Sequence, residues 1–169
     1  MSFEVLQGRD LAAWDEPADT ADQRQFLEEW LHYQRHEFLR KLRDLTPEGL
    51  VAWSVPPLEV SVMGLVRHMT QMEHAAFSWG LSGGDRREIY GEDDYHGATV
   101  EELDHDLALY FVEVDTADRA IASQLNITSM GIGHGRPLGA VLVKMIDEYA
   151  LHAGQAHMLR FAALGELIR

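Results

Sequence analysis

The sequence predicts an all-α protein, a four-helix bundle with long connections and a short extra helix. Apolar residues recur at intervals of three and four over most of the 169-residue chain, which is the spacing of one helix face. No stretch alternates apolar and polar residues for long enough to build a sheet. Glycine- and proline-containing breakers divide the chain into four long segments, whose apolar stripes only the other segments can cover.

The first segment spans residues 20–45. Thr20 and Gln23 stand in capping-box spacing, and Leu27, Leu31, Phe38, Leu42 and Leu45 form the stripe with help from Trp30. Residues 46–60 begin Thr46-Pro47-Glu48, a start signal for a short helix, and then meet the breaker Pro56-Pro57. The second segment follows Ser61 as N-cap, carries Leu65, Met69, Met72, Ala76 and Phe77, and stops near Ser82, Gly83 and Gly84. Residues 83–98 (GGDRREIYGEDDYHGA) form an acidic, mixed connection. The third segment opens on a capping box from Thr99 to Glu102, with Leu103, Leu107, Tyr110, Phe111, Val114, Ile121 and Leu125 as its apolar positions. A glycine-rich connection, residues 126–136, leads to the fourth. That segment starts at Pro137 and runs through Leu138, Val141, Leu142, Met145, Tyr149, Leu159 and Leu164, with Gly165 near its end. No repeat or boundary interrupts it, so one domain is expected over residues 1–169, with its core over about 20–165.

Composition excludes several functions. The chain has 28 acidic and 14 basic residues, a formal charge of −14, and 46% hydrophobic residues. That apolar content argues against a disordered acidic tail. The negative surface argues against nucleic acid or an anionic membrane as partner. No run of residues is apolar enough for a transmembrane helix, and the opening MSFEVLQGRDLAAWDEP lacks the basic and apolar regions of a signal peptide. A cytoplasmic protein is expected. With no cysteine there is no disulfide, sulfur-ligated zinc, iron–sulfur cluster or cysteine nucleophile, while nine histidines remain. A metal here would have nitrogen and oxygen ligands.

A single histidine is usually a surface or hydrogen-bonded side chain, so a pattern is needed to single any out. In the fourth segment Met145, Glu148, His152, Gln155 and Leu159 share one helix face, and Met145 and Leu159 direct that face to the core. A buried carboxylate requires a proton, a cation or a metal, because leaving it bare costs several kcal/mol, roughly. Glu148 and His152 lie one turn apart and can converge on one ion. In the second segment His68 lies between Leu65 and Met72 on the buried stripe, whereas His74 is rotated away. His68, Glu148 and His152 therefore form a candidate ligand set for Zn²⁺, Ni²⁺ or Fe²⁺ and a poor one for Ca²⁺. Two other readings are a Glu–His hydrogen bond inside the bundle and a Lys144–Glu148 ion pair on its flank. Gln155 could bond a ligand or metal-bound water, or tie the fourth helix to the second. The other candidates are weaker: His32 and His36 on a partly polar face, Glu73 in an ion pair, Tyr149 in packing, His134 in a loop and His157 on the far side of the fourth helix.

Four stretches, FLEEWLHYQRHEFLRKLRDLTPEGL, SVPPLEVS, SVMGLVRHMTQMEHAAF and VLVKMIDEYALHAGQAHMLR, resemble the DinB-like (DinB/YfiT-like) metalloenzyme superfamily. The resemblance is strongest to its actinobacterial branch related to mycothiol-dependent maleylpyruvate isomerase. It implies a four-helix bundle with long crossovers, commonly a homodimer, and a divalent metal held by His68, Glu148 and His152. It also implies a low-molecular-weight thiol co-substrate. Many relatives read HMIEEYARHNGHADLLR in the fourth helix; this chain has Lys144, Leu151 and Gln155 where they have histidine, arginine and histidine.

Two functions follow. One is a metal-dependent enzyme, a transferase, isomerase or hydrolase, acting on a small molecule with a low-molecular-weight thiol; Zn²⁺ or Ni²⁺ is the expected metal and Gln155 orients the bound nucleophile. The alternative is a non-catalytic, stress-related bundle in which the triad is a structural metal site or an empty polar cluster. An open coordination position beside a pocket of roughly 300 Å³ or more favours the enzyme. Full coordination by protein groups favours the structural role.

Overall fold

The computed structural model describes residues 11–20, 22–91 and 93–165. The first ten residues of the stretch read against a signal peptide, and the two ends of the expected domain, lie outside them. The fold is all-α. It comprises α1 (Gln23–Arg40), the short α2 (Pro47–Val51), α3 (Val62–Glu73), which continues as a π-helical stretch (His74–Trp79), α4 (Leu103–Ala122) and α5 (Leu138–Leu164). α1 packs along α5, α3 lies against α4 and α5, and α2 closes one end against α3 and α5. Among the described residues there is no strand, only one isolated antiparallel bridge between Met130 and Pro137 in the glycine-rich connection.

Local chemistry sets the ends of these helices. The N-cap of α1 is Asp22, whose carboxylate accepts from the amides of Arg24 (2.9 Å) and Gln25 (3.1 Å). The expected Thr20 cap is displaced by this carboxylate; the Thr20 hydroxyl instead accepts from the Asp22 amide. α1 also ends sooner than its stripe suggests. Residues 41–44 are a turn, and Leu42 and Leu45 enter the core from beyond the helix. Thr46 and Ser61 cap α2 and α3 as expected, through the amides of Gly49 and Gly64. The capping box at Thr99 does not form: residues 100–102 make a tight turn and α4 begins at Leu103 without a side-chain cap. Leu125 falls beyond the end of α4 and is 92% exposed, so it leaves the expected stripe. Gly165 ends α5 in the left-handed conformation, with φ +67.

One buried polar network joins all four long helices and fixes how α5 is rotated. The Arg35 guanidinium of α1 donates to both carboxylate oxygens of Glu73 in α3, at 2.8 and 2.7 Å, and to Asp118 of α4 at 2.7 Å. The Tyr149 hydroxyl of α5 donates to Glu73 at 2.6 Å and lies 3.1 Å from the hydroxyl of Tyr110 in α4. Arg35 and Glu73 are buried, and the planar fork satisfies the carboxylate that an apolar core would otherwise expel. Tyr149 is thus held inward, which directs the preceding Glu148 to one side of the core.

Candidate metal centre

The side of α5 that follows Tyr149 faces the N-terminal half of α3, and there His68, Glu148 and His152 come together. One potential ligand atom from each lies within 4.8 Å of the other two. The His68 and His152 rings meet edge to face with centroids 4.7 Å apart, and His152 Nε2 is 3.4 Å from Glu148 Oε2. His152 is buried and the other two are partly so.

Each imidazole is oriented through its other nitrogen. His68 Nδ1 lies 2.8 Å from Asp94 Oδ2, and its ring stacks on Tyr95 with centroids 4.4 Å apart. His152 Nδ1 lies 2.8 Å from Gln155 Oε1. A carboxylate and an amide oxygen accept, so both Nδ1 atoms donate; in the neutral ring that leaves the lone pair on Nε2, the atom turned toward the cluster. The third member, Glu148, receives the Lys144 ammonium on Oε1 at 2.5 Å, which leaves Oε2 toward His152. The ion pair and the Glu–His contact, weighed above as alternatives to a metal site, therefore coexist in one cluster.

The electrostatics suit metal binding. The Lys144 hydrogen bond holds the Glu148 carboxyl below its usual range. Desolvation lowers the pKa of His152, which favours the neutral ring. Burial, together with the charges of Asp94 and Glu148, pushes the Tyr95 phenol up to about 12. Ionised carboxylate and neutral imidazoles are the states a divalent cation requires, and two nitrogens with one oxygen fit Zn²⁺ or Ni²⁺ better than Ca²⁺.

Asp94 and Tyr95 were not anticipated. They come from the acidic connection, whose approach to α3 depends on two glycines. A Cβ at Gly64 would lie 2.1 Å from the Tyr95 carbonyl oxygen, and one at Gly97 would lie 2.9 Å from the Arg67 guanidinium. Arg67 in turn donates to the Asp93 carbonyl at 3.2 Å. The run of aspartates before Tyr95 was the available signal, but it carries no periodicity that would say which carboxylate turns inward.

The remaining histidines lie elsewhere. His36 stacks on Trp14 and bonds the Ala12 carbonyl at 2.7 Å, while His32 borders separate clefts beside α1. His74 faces Glu113 of α4 at 3.2 Å, away from the triad as expected. His134 donates to the Ala76 carbonyl and accepts from the Arg136 amide, so neither nitrogen is open. His157 packs against Phe161. Glu73 does enter an interhelical ion pair, but in the core rather than at the surface.

A cavity of about 460 Å³ lies between residues 55–60 and the second half of α5; its wall includes Tyr95 and Gln155, which touch His68 and His152, but not the three donors themselves. A smaller cavity of about 200 Å³ adjoins Lys144, His134 and Arg136 at the other end of the same α5 face.

No curated protein matches the chain significantly. A family model described as Mycothiol-S-transferase matches residues 26–165, which takes in α1 from its fourth residue, all the later helices and every residue of the cluster. The chain belongs to this DinB/YfiT-like mycothiol-S-transferase family.

Proposed function

We propose that this chain is a metal-dependent thiol transferase in which His68, Glu148 and His152 hold one divalent cation, Zn²⁺ or Ni²⁺. The reading is carried by the convergence of three donors, with a cavity large enough for a substrate on the far side of Tyr95 and Gln155. Three protein ligands would leave a bound cation open to an exogenous group, whereas structural zinc sites are closed by four protein ligands. The family description points to mycothiol as the thiol.

A bound cation supplies a Lewis acid that lowers the pKa of a thiol beside it. The protein's own groups do the rest. Asp94 and Gln155 hold the two Nδ1 atoms, which would fix the rotation and tautomer of the imidazoles that would hold a cation. Lys144 keeps Glu148 ionised. Gln155, read from sequence as a group that orients the nucleophile, acts in this proposal as a positioning residue through His152. In the net reaction the thiol loses its proton and its sulfur bonds the electrophilic carbon of the acceptor. The bond from that carbon to the leaving group breaks, and the leaving group departs with the electron pair and takes up a proton.

The test pairs metal analysis with a panel of low-molecular-weight thiols and electrophiles. The proposal expects about one divalent ion per chain and turnover that requires both thiol and metal. His152→Ala is expected to lose both, while His157→Ala keeps both. Turnover without thiol would redirect the reading to a hydrolase. Metal retention without any turnover across the panel would favour the structural, non-catalytic role.

A further inference from the structure

In a chain with 28 acidic and 14 basic residues, an arginine readily finds an oxygen partner. Among the described residues, Arg86 and Arg136 are the exceptions: neither guanidinium makes a hydrogen bond or an ion pair, while every other described arginine donates to an oxygen. The two exceptions meet at one place. Arg86, from the acidic connection, lies over the Trp79 ring with its Cζ 4.9 Å from the centroid. Trp79 is in turn a wall of the cavity of about 200 Å³ that Arg136 and Lys144 border. The floor of that cavity is apolar, with Met72 and Ala76 on one side and Val141 and Met145 of α5 on the other. His134 closes it as a neutral ring: it donates to the Ala76 carbonyl and accepts from the Arg136 amide, and burial together with the Arg136 charge lowers its pKa. Three cations from three segments thus surround an apolar space, and two of them have no anion.

We propose that this cavity is a binding site for a small aromatic carboxylate, with the ring on the apolar floor beside Trp79 and the charged end among Arg136, Lys144 and Arg86. A guanidinium presents parallel donors that match the two oxygens of a carboxylate. The volume, about 200 Å³, exceeds the ~150 Å³ that accommodates benzene in an apolar protein cavity, so one ring with its carboxylate fits. Inorganic phosphate would meet the cations but leave the apolar floor uncovered. The assignment goes beyond the proposed thiol transfer, since none of the three donors of the triad lines this cavity. Met72 lies one turn after His68 on α3, and Lys144 one turn before Glu148 on α5, so cavity and triad share one groove about a helical turn, ~5.4 Å, apart. Lys144 borders the cavity and also holds Glu148 Oε1 at 2.5 Å, so the two sites share one ammonium. A carboxylate anchored here lies one turn from whatever the triad holds.

Calorimetric titration of the full chain with benzoate, benzamide and inorganic phosphate, with and without Zn²⁺, tests this. Benzoate is expected to bind at least about tenfold tighter than benzamide, its neutral counterpart of the same shape, and than phosphate, whether or not the metal is present. Its affinity is expected to fall as salt is raised. Arg136→Gln is expected to weaken benzoate about fivefold, and Arg86→Gln combined with Arg136→Gln about tenfold or more, with benzamide unchanged. Both arginines are exposed, so these variants are expected to keep wild-type helical circular dichroism and Zn²⁺ affinity. Equal affinity for benzoate and benzamide, or benzoate binding unchanged in the double variant, would overturn the proposal. A preference for benzoate that appears only with Zn²⁺ would put the carboxylate on the cation and also overturn it. Phosphate binding as tight as benzoate would reduce the cavity to a general anion patch and overturn the aromatic assignment. Failure of the chain to bind metal or turn over thiol, with the benzoate results intact, would defeat the proposed function and leave this site standing.

Discussion

Removing the Asp94 carboxylate tests whether the acidic connection serves the site. In the structure its Oδ2 sits 2.8 Å from His68 Nδ1, with the two side chains 19% and 15% exposed. Groups that orient metal-bound histidines in this way typically contribute ten- to hundredfold in metal affinity. Partial exposure lets water replace some of the lost bond, which favours the lower half of that range. Asp94→Ala is therefore expected to weaken Zn²⁺ binding about ten- to thirtyfold, or ~1.4–2 kcal/mol. Asp94→Asn keeps an oxygen acceptor but loses the charge, and is expected to lose less. Competition with a chromophoric chelator at neutral pH measures both. Asp93→Ala is the control, since that neighbouring carboxylate pairs with the exposed His96 instead. Wild-type Zn²⁺ affinity in Asp94→Ala, alongside a loss in His152→Ala, would refute the orienting role; equal losses at Asp93 and Asp94 would reduce it to bulk charge.

Arg35→Met leaves Glu73 buried without its cation and is expected to cost about 3–5 kcal/mol in urea denaturation, part of which Arg35→Met combined with Glu73→Gln recovers. Gly64→Ala brings a methyl against the Tyr95 carbonyl oxygen, and is expected to cost about 1–3 kcal/mol and to weaken Zn²⁺ binding by displacing Asp94 and Tyr95. Burial pushes the Asp106 carboxyl up, against the pull of the Arg67 guanidinium. The folded state therefore holds that proton more tightly than the unfolded chain, and ionising Asp106 costs stability as pH rises from its unfolded to its folded value. Asp106→Asn is expected to gain on the wild type as pH is raised through that window, by about 1 kcal/mol at neutral pH in urea titrations; a pH-independent difference would count against this.

Much of this molecule can be read from local rules. Ser61 and Thr46 cap where their side chains predict, and face arithmetic on α5 and α3 aligns Glu148 and His152 with His68. These features depend on spacings within a single helix. What escaped the sequence depends on contacts between distant segments. Asp94 reaches His68 only because Gly64 lets a loop touch α3. Glu73 looks like a surface residue by type, yet Arg35 and Tyr149, from helices far away in sequence, make it a core residue. Thr99 has the right spacing for a capping box, but the chain turns tightly after it and α4 starts four residues later, at Leu103. The π-helical stretch at residues 74–79 left no mark that distinguishes it from ordinary helix periodicity.

That stretch has a consequence for how the bundle opens. Its Ala76 carbonyl accepts the His134 ring, and the Gly80 carbonyl just beyond accepts the amides of Gly133 and His134. The same glycine-rich connection donates the Ile132 amide to the Leu81 carbonyl. The end of the π-helical stretch and the approach to α5 are therefore laced together, and their amide protons are expected to exchange as one unit. His68 lies upstream of this unit in regular α-helix, and Glu148 and His152 lie well inside α5. Loosening at this end of the bundle is therefore expected to break none of the contacts that bring the three donors together.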